Sequence, residues 1–143
     1  MGLKYFLLDD SSLINYNPIT TPSDPSIKLH HDNFVSYRDI PAYKRLIGRL
    51  LYLNTTRPNI TFITQQLSQF LSNPTQTHHN AAMRVLRYLK GSPWCGIFFP
   101  RNSTLHIQWY LDADWAGCKD TRRSVFDQCF FLGNSLISWR KKK

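Results

Sequence analysis

The stretch that decides the fold is LHIQWYLDADW, from Leu105 to Trp115. Apolar residues occupy every second position of its first part, which is the period of a β-strand with two different faces. The strand brings Asp112 and Asp114 to the same side of its end, because residues two apart on an extended chain share a face. Carboxylates roughly 7 Å apart suit a hard cation better than a shared proton. Aspartate is also common where a strand meets a turn, so a purely structural role stays open.

Three amphipathic helices are predicted upstream of this strand. The first runs from about Pro41 to Leu53, the second from about Pro58 to Pro74, and the third from about Thr77 to Lys90. In each of them apolar residues recur three and four positions apart. Proline suits the first turn of a helix, and Gly91 is expected as the C′ residue that ends the third. Short connections between three such helices favour a small bundle.

The period changes from about 3.6 residues to two residues near position 96, which predicts a sheet in the last third of the chain. The predicted strands are Ile97–Phe99, Leu105–Asp112, Ser124–Leu132 and Ser135–Arg140. Gly133-Asn134 is an accepted two-residue hairpin loop between the last two, and Leu105–Asp112 is expected to lie between the other pieces. A helical bundle followed by an antiparallel sheet makes the predicted fold class α+β.

Positive charge is concentrated in the middle of the chain. The sequence of 143 residues has a formal net charge of +9, and residues 42–101 hold eight Lys or Arg and no acidic residue. A basic block with interleaved Tyr and Phe fits a polyanionic partner, although a solvated helix face has the same composition. Five basic residues of the first and third helices are the candidate nucleic-acid-binding residues, namely Lys44, Arg45, Arg84, Arg87 and Lys90.

Cysteine usage and hydropathy restrict the location of the chain. Its three cysteines show neither C-x-x-C nor zinc-ligand spacing, so they are expected to be reduced thiols in a protein that is not secreted. No apolar run reaches the length of a membrane span, and no signal peptide is recognised. We therefore expect an intracellular protein, cytoplasmic or nuclear, without membrane association.

Eight short motifs, in order along the chain, resemble the Pol polyprotein of copia-type LTR retrotransposons. Four are similar to the end of its reverse transcriptase region: YKRLIGRLLYL (Tyr43–Leu53), TRPNITF (Thr56–Phe62), LSQFLSNP (Leu67–Pro74) and RVLRYLKGSP (Arg84–Pro93). Four are similar to the opening of its ribonuclease H domain: DADWAG (Asp112–Gly117), DTRRS (Asp120–Ser124), FFLG (Phe130–Gly133) and LISWR (Leu136–Arg140). The similarity runs from about Lys4 to Arg140.

The resemblance implies three segments. Residues 1–40 correspond to a linker with a short N-terminal helix, and residues 41–94 to a helical segment similar to a reverse transcriptase thumb or connection. Residues 95–143 correspond to an incomplete ribonuclease H-like sheet of three strands. In the family the helical segment touches the template–primer backbone, which agrees with phosphate contacts from Arg84, Arg87 and Lys90.

The resemblance also implies a metal site and its first residue. Ribonuclease H holds Mg²⁺ with several carboxylates, and Asp112 matches the first of them by position, as the candidate catalytic residue and metal ligand. The Glu and the later Asp would lie beyond Lys143, and this chain contains no Glu. We therefore expect Mg²⁺ to act in the parent enzyme and not to bind tightly here. Whether the chain is an enzyme stays open, and the expectation for the isolated chain is that it is inactive.

Departures from the family pattern suggest a decayed copy. They occur at Trp94, Trp109, Leu111 and Phe126-Asp127. At each of these positions a single base change would convert the family's usual residue into the one in this chain. The expected function is therefore that of a truncated Pol fragment whose parent performs RNA-directed DNA synthesis and hydrolyses the RNA strand of RNA–DNA hybrids. The alternative is a retained, non-catalytic module that binds RNA or a hybrid weakly and without sequence preference. The unfinished sheet would also favour self-association.

Overall fold

Three α-helices and one antiparallel sheet form the described part of the chain. The computed structural model describes residues 16–27, 29–30, 35–114 and 124–142. The elements are helix α1 (Ile40–Leu53), a 3₁₀-helix (Pro58–Ile60), helices α2 (Thr61–Ser68) and α3 (Gln76–Gly91), and strands β1 (Ile107–Asp114), β2 (Val125–Leu132) and β3 (Ser135–Lys142). The predicted α+β class, a set of helices followed by a three-stranded antiparallel sheet, is confirmed.

The chain divides into two compact units. The helical unit comprises Met1–Asn54 and Asn59–Cys95, and the sheet unit comprises Thr55–Pro58 and Gly96–Lys143. The main division falls next to the segment boundary at residues 94 and 95 that the resemblance suggested, although the identity of each segment stays a prediction. No helix in the described ranges is long and apolar enough to cross a bilayer.

Helix α1 follows its predicted pattern closely. The side chain of Asp39 caps it by accepting a hydrogen bond from the Ala42 N–H at 2.9 Å, and a proline lies in its first turn. An N-cap aspartate satisfies an N–H group that has no partner inside the helix. The buried side of the helix consists of Tyr43, Ile47, Leu50 and Leu53. The 3.6-residue apolar stripe therefore faces the core.

The core of the helical unit lies between the three helices. Its buried members are Tyr43, Ile47, Leu50, Leu53, Ile60, Ile63, Leu67, Ala82, Val85, Leu86 and Leu89. Two polar groups reach into it with their hydrogen bonds satisfied. The Tyr43 hydroxyl donates to the Leu67 carbonyl at 3.0 Å, and the Thr64 hydroxyl donates to the Asn54 side-chain oxygen at 2.9 Å. Burial raises the pKa of Tyr43 because the phenolate would be poorly solvated there.

The second helix is shorter than predicted. It begins as a 3₁₀-turn and ends at Ser68, well before Pro74. The N–H groups of Gln69 and Phe70 bond to carbonyls three residues back, at 3.2 Å each, so the helix tightens into a turn at this point. The Phe70 ring is buried and stacks on His78 with centroids 3.9 Å apart. This packing ends the helix before proline would.

Helix α3 begins with a capping box in which histidine takes the usual place of Glu or Gln. The Thr75 hydroxyl accepts from the His78 N–H at 3.4 Å, and His78 Nδ1 accepts from the Thr75 N–H at 3.0 Å. The prediction that Gly91 is a C′ residue is wrong, since Gly91 is the last helical residue and Ser92 is the C-cap. A Cβ atom at Gly91 would lie 3.0 Å from the Pro18 Cβ, so close approach of another segment explains the glycine.

The sheet has the strand order β1-β2-β3, with both pairs antiparallel. The predicted hairpin is confirmed, because residues 133 and 134 form the turn between β2 and β3, and Gly133 has a positive φ of 59°. This is the left-handed region, which glycine occupies without steric cost. The loop before β1 contacts this turn: the Gly133 N–H donates to the His106 carbonyl at 2.7 Å, and the Asn134 N–H donates to the Ser103 hydroxyl at 3.0 Å.

Two expectations about the strands are wrong. The organising strand spans Ile107–Asp114 rather than Leu105–Asp112, and within the described sheet it is an edge strand, with β2 in the centre. Residues Ile97–Phe99 do not form a strand. Two of the three, Phe98 and Phe99, are exposed, and the following Pro100 has no N–H to donate to a ladder. Hydrophobic residues alone do not make a strand when no partner strand lies beside them.

Candidate nucleic-acid interface

Asp112 is paired across the sheet with a second aspartate. It is exposed near the end of β1, in register with Asp127 of β2, which is itself in register with Lys141 of β3. Residues directly opposite in an antiparallel pair point to the same face with Cβ atoms about 5 Å apart. Nothing in the sequence predicts the pairing of Asp112 with Asp127. The period of one strand does not reveal its register with the next.

Two described carboxylate side chains, those of Asp112 and Asp127, lie opposite each other near the end of β1. Mg²⁺ requires near-octahedral oxygen coordination, and a two-metal site needs several carboxylates. Among the described residues, no group of three or more His, Cys, Asp or Glu is placed to hold a metal ion. Asp120 lies outside the described residues, and so does the side chain of Asp114. The role of Asp112 as catalytic residue and metal ligand therefore stays a prediction.

The predicted cations of α1 lie on its solvent side. Lys44 and Arg45 are exposed, and within the described ranges neither forms an ion pair with a carboxylate. Gly48 continues the same side of the helix, and a Cβ atom added there would meet nothing within 4 Å. Tyr52, one turn further, is 69 % exposed. Two cations, a bare backbone position and an exposed aromatic ring thus form one accessible helix surface.

The predicted cations of α3 are in a different situation, because a segment of the chain lies across them. We call residues Tyr16–Asp24 the strap. Lys90 Nζ donates to the Tyr16 carbonyl at 3.1 Å, and Arg87 Nε donates to the Asn17 carbonyl at 2.9 Å. Arg84 donates to the Thr21 hydroxyl at 3.0 Å and forms an ion pair with Asp24 at 3.4 Å. The strap therefore runs antiparallel to α3.

The conformation of the strap is supported at both ends. The guanidinium carbon of Arg87 lies 5.9 Å from the centroid of the Tyr16 ring, a cation–π distance. At the other end Asp24 Oδ1 accepts the Ser26 hydroxyl at 2.6 Å and the Ser26 N–H at 3.1 Å. These bonds, more than the nearby Arg84, lower the pKa of Asp24. The carboxylate is therefore ionised and held in place near Arg84.

The sequence does not predict that the strap packs on α3. Residues 1–40 are predicted to be a linker with a short N-terminal helix, and the prolines and small polar residues of this segment supply turn chemistry. The Asp-Pro-Ser sequence at residues 24–26 signals a local turn, which the structure contains, but nothing local indicates that the turn packs on a helix. Contact of Lys44, Arg45, Arg84, Arg87 and Lys90 with nucleic acid stays a prediction.

These features define a small α+β chain with a basic helical unit and an open sheet that carries aspartates at the end of its first strand. Its relatives include proteins of transposons and of plant mitochondria. The chain is 42 % identical over 96 % of its residues to the retrovirus-related Pol polyprotein from transposon RE1 of Arabidopsis thaliana. It is 30 % identical over 95 % of its residues to that from transposon TNT 1-94 of Nicotiana tabacum. It is 36 % identical over 96 % of its residues to the uncharacterized mitochondrial protein AtMg00810 of Arabidopsis thaliana.

The chain belongs to the retrovirus-related Pol polyproteins of transposons, and the copia-type resemblance of its motifs is confirmed. It spans 9 % of the length of the RE1 polyprotein, 11 % of the TNT 1-94 polyprotein and 57 % of AtMg00810. No family model matches the chain, and no solved structure matches it.

Proposed function

We propose that this chain is a non-catalytic segment of a transposon Pol polyprotein whose helical unit binds RNA or an RNA–DNA hybrid through phosphate contacts. The parent activity is RNA-directed DNA synthesis with hydrolysis of the RNA strand of the hybrid. The chain corresponds to the end of the reverse transcriptase region and the start of the ribonuclease H domain. Its motifs support this assignment, since they follow one another in the order of those regions.

The observation that carries the binding proposal is the absence of any acidic residue from residues 42–101, which hold eight Lys or Arg. Two of these, Lys44 and Arg45, are exposed on α1. Cations that contact phosphates release counterions, so the affinity is expected to fall steeply as salt increases. Phosphate contacts carry no sequence information by themselves, and binding should therefore be weak, with a dissociation constant on the order of 10⁻⁴–10⁻⁶ M, and non-specific.

The test is fluorescence anisotropy of a labelled RNA–DNA hybrid titrated with the full chain at several salt concentrations. The double variant Lys44→Ala, Arg45→Ala should bind more weakly and reduce the slope of log affinity against log salt by about two. A matched control, Arg101→Ala with Arg140→Ala, removes two exposed charges from the sheet unit instead. An α1 variant that binds no more weakly than this control would refute the interface.

Catalytic inactivity is part of the proposal. The chain contains no Glu, and Asp112 has one aspartate in register with it on the neighbouring strand. These two described carboxylates are too few for the two-metal hydrolysis of the parent enzyme, so we expect neither tight Mg²⁺ binding nor ribonuclease H or polymerase activity. An intracellular location, cytoplasmic or nuclear, agrees with the free thiols of Cys95 and Cys129.

Self-association through the sheet is a further part of the proposal. Large apolar side chains of the sheet are exposed, at 74 % for Ile107, 60 % for Trp109 and 60 % for Leu111. Apolar strands with unpaired edges tend to associate. Sedimentation velocity at micromolar concentrations should show oligomers that Trp109→Lys reduces. Trp94→Lys is the control, because Trp94 is a 91 % exposed tryptophan outside the sheet. A monomeric wild-type chain would contradict this expectation.

A further inference from the structure

We propose that the strap is an internal competitor for phosphate. In the free chain Tyr16–Asp24 occupies a phosphate-binding row formed by Arg84, Arg87 and Lys90, and nucleic acid must displace it to use that row. This inference rests on the proposed function, because it concerns which cations of the helical unit meet the polyanion. It adds a site that is closed in the free chain to the open surface at Lys44 and Arg45.

The spacing of the row suits a phosphodiester backbone. Its three cations follow one another at every third residue of α3, so they share one side of the helix. At 1.5 Å per residue they span about 9 Å along the helix axis. Phosphates of one strand follow each other at about 3.4 Å along a duplex axis, so this length corresponds to two or three of them.

The strap supplies the same kind of acceptor that a phosphodiester would. Four of its oxygens contact the row: the carbonyls of Tyr16 and Asn17, the hydroxyl of Thr21 and the carboxylate of Asp24. Only the last is charged, so the strap opposes three positive charges with one negative charge. A nucleic acid backbone brings one negative charge for every phosphate. Phosphate is therefore the electrostatically stronger ligand for the same donors.

The contacts of the strap are weak enough to be displaced. The side chains of Arg84 and Asp24 are 30 % and 31 % exposed, so solvent screens much of their attraction. Arg84 Nε is buried and has no hydrogen-bond partner among the described residues, which makes the strap an incomplete ligand for this guanidinium. The strap nevertheless lies close to the helix, since a Cβ atom at Gly91 would be 3.0 Å from the Pro18 Cβ and 3.4 Å from the Ile19 carbonyl oxygen.

A reversible disulfide between strap and helix tests the competition directly. The double variant Pro18→Cys, Gly91→Cys places two thiols on Cβ atoms that are 3.0 Å apart. A shift of several tenths of an ångström brings this Cβ separation into the range of about 3.5–4.5 Å that a disulfide needs. The three native cysteines are changed to Ser. The full chain is then titrated with the RNA–DNA hybrid, oxidised and reduced. The oxidised form should bind more weakly, with a salt slope lower by about two to three.

A second variant tests the same idea without a cross-link. Asp24→Asn removes the one charged ligand of the strap and should strengthen hybrid binding by about two- to fivefold, the range expected for losing a partly exposed ion pair. Asp127→Asn is the matched control, since it changes the net charge equally but lies in the sheet unit. Tighter binding of Asp24→Asn than of Asp127→Asn supports displacement.

Different outcomes separate this inference from the proposed function. The triple variant Arg84→Gln, Arg87→Gln, Lys90→Gln shows whether these cations contribute to binding. If this variant binds more weakly while the oxidised and reduced forms of the cross-linked variant bind equally, the competition is overturned. The cations would then reach phosphate with the strap in place. If the cross-linked variant fails to fold, Asp24→Asn and Asp127→Asn are compared instead. The competition is overturned if Asp24→Asn binds the hybrid no more tightly than Asp127→Asn. A lower melting temperature of Asp24→Asn would then show that the strap stabilises the fold. Absence of any binding by the wild-type chain at low salt refutes the proposed function itself.

Discussion

Replacing Tyr43 by Phe removes one buried hydrogen bond and keeps the packing of the ring. Tyr43 has no exposed surface, and its hydroxyl joins α1 to α2 by donating to the Leu67 carbonyl at 3.0 Å. That carbonyl also accepts the Phe70 N–H at 3.2 Å. The variant therefore loses a bond without leaving the carbonyl unsatisfied, and the cost should be that of one ordinary hydrogen bond. We expect a loss of about 1 kcal/mol in the free energy of unfolding.

The assay is urea unfolding followed by far-ultraviolet circular dichroism. All described α-helices belong to the helical unit, so the helical signal reports the unit in which Tyr43 lies. Tyr52→Phe is the matched control, because it removes the same hydroxyl from the same helix at a position that is 69 % exposed. The control should change stability by less than about 0.5 kcal/mol. Equal unfolding midpoints for the two variants would refute the reasoning, since the buried bond would then contribute nothing.

Three further predictions concern the remaining special positions. Burial lowers the pKa of His79 in the folded chain, so the unfolded chain binds more protons below about pH 6.5. The free energy of unfolding should therefore fall as the pH drops below that value. His79→Gln should remove this part of the pH dependence of the urea midpoint. Gly133→Ala should destabilise the sheet unit by more than about 1 kcal/mol, measured by tryptophan fluorescence, because φ is positive and the new Cβ would lie 2.6 Å from the Thr104 carbonyl oxygen. Asp112→Asn should change stability by less than about 0.5 kcal/mol and leave hybrid hydrolysis at background; Mg²⁺-dependent cleavage that this change abolishes would contradict the inactive assignment.

The order of secondary-structure elements could be predicted from short-range patterns. The apolar stripe of α1, the Asp39 cap and the turn at residues 133 and 134 all depend on residues within a few positions of one another. The end of α2 was predicted too late, because the stacking of Phe70 on His78 involves a residue of the next helix. Gly91 was assigned to a helix cap for the same reason: the atoms that require a glycine there belong to Pro18 and Ile19.

The sequence by itself determined the helices, the hairpin, the concentration of positive charge and the family, since each is written in local periodicity, composition or ordered motifs. Only the tertiary structure decided which charged residues meet. The hydrogen bonds of the strap join residues 63 to 74 positions apart, and the register of β1 on β2 places Asp112 opposite Asp127. Charged side chains on a helix or strand surface have the same local pattern whether they face water, phosphate or another segment. Their partners depend on packing between distant segments, which no local period encodes.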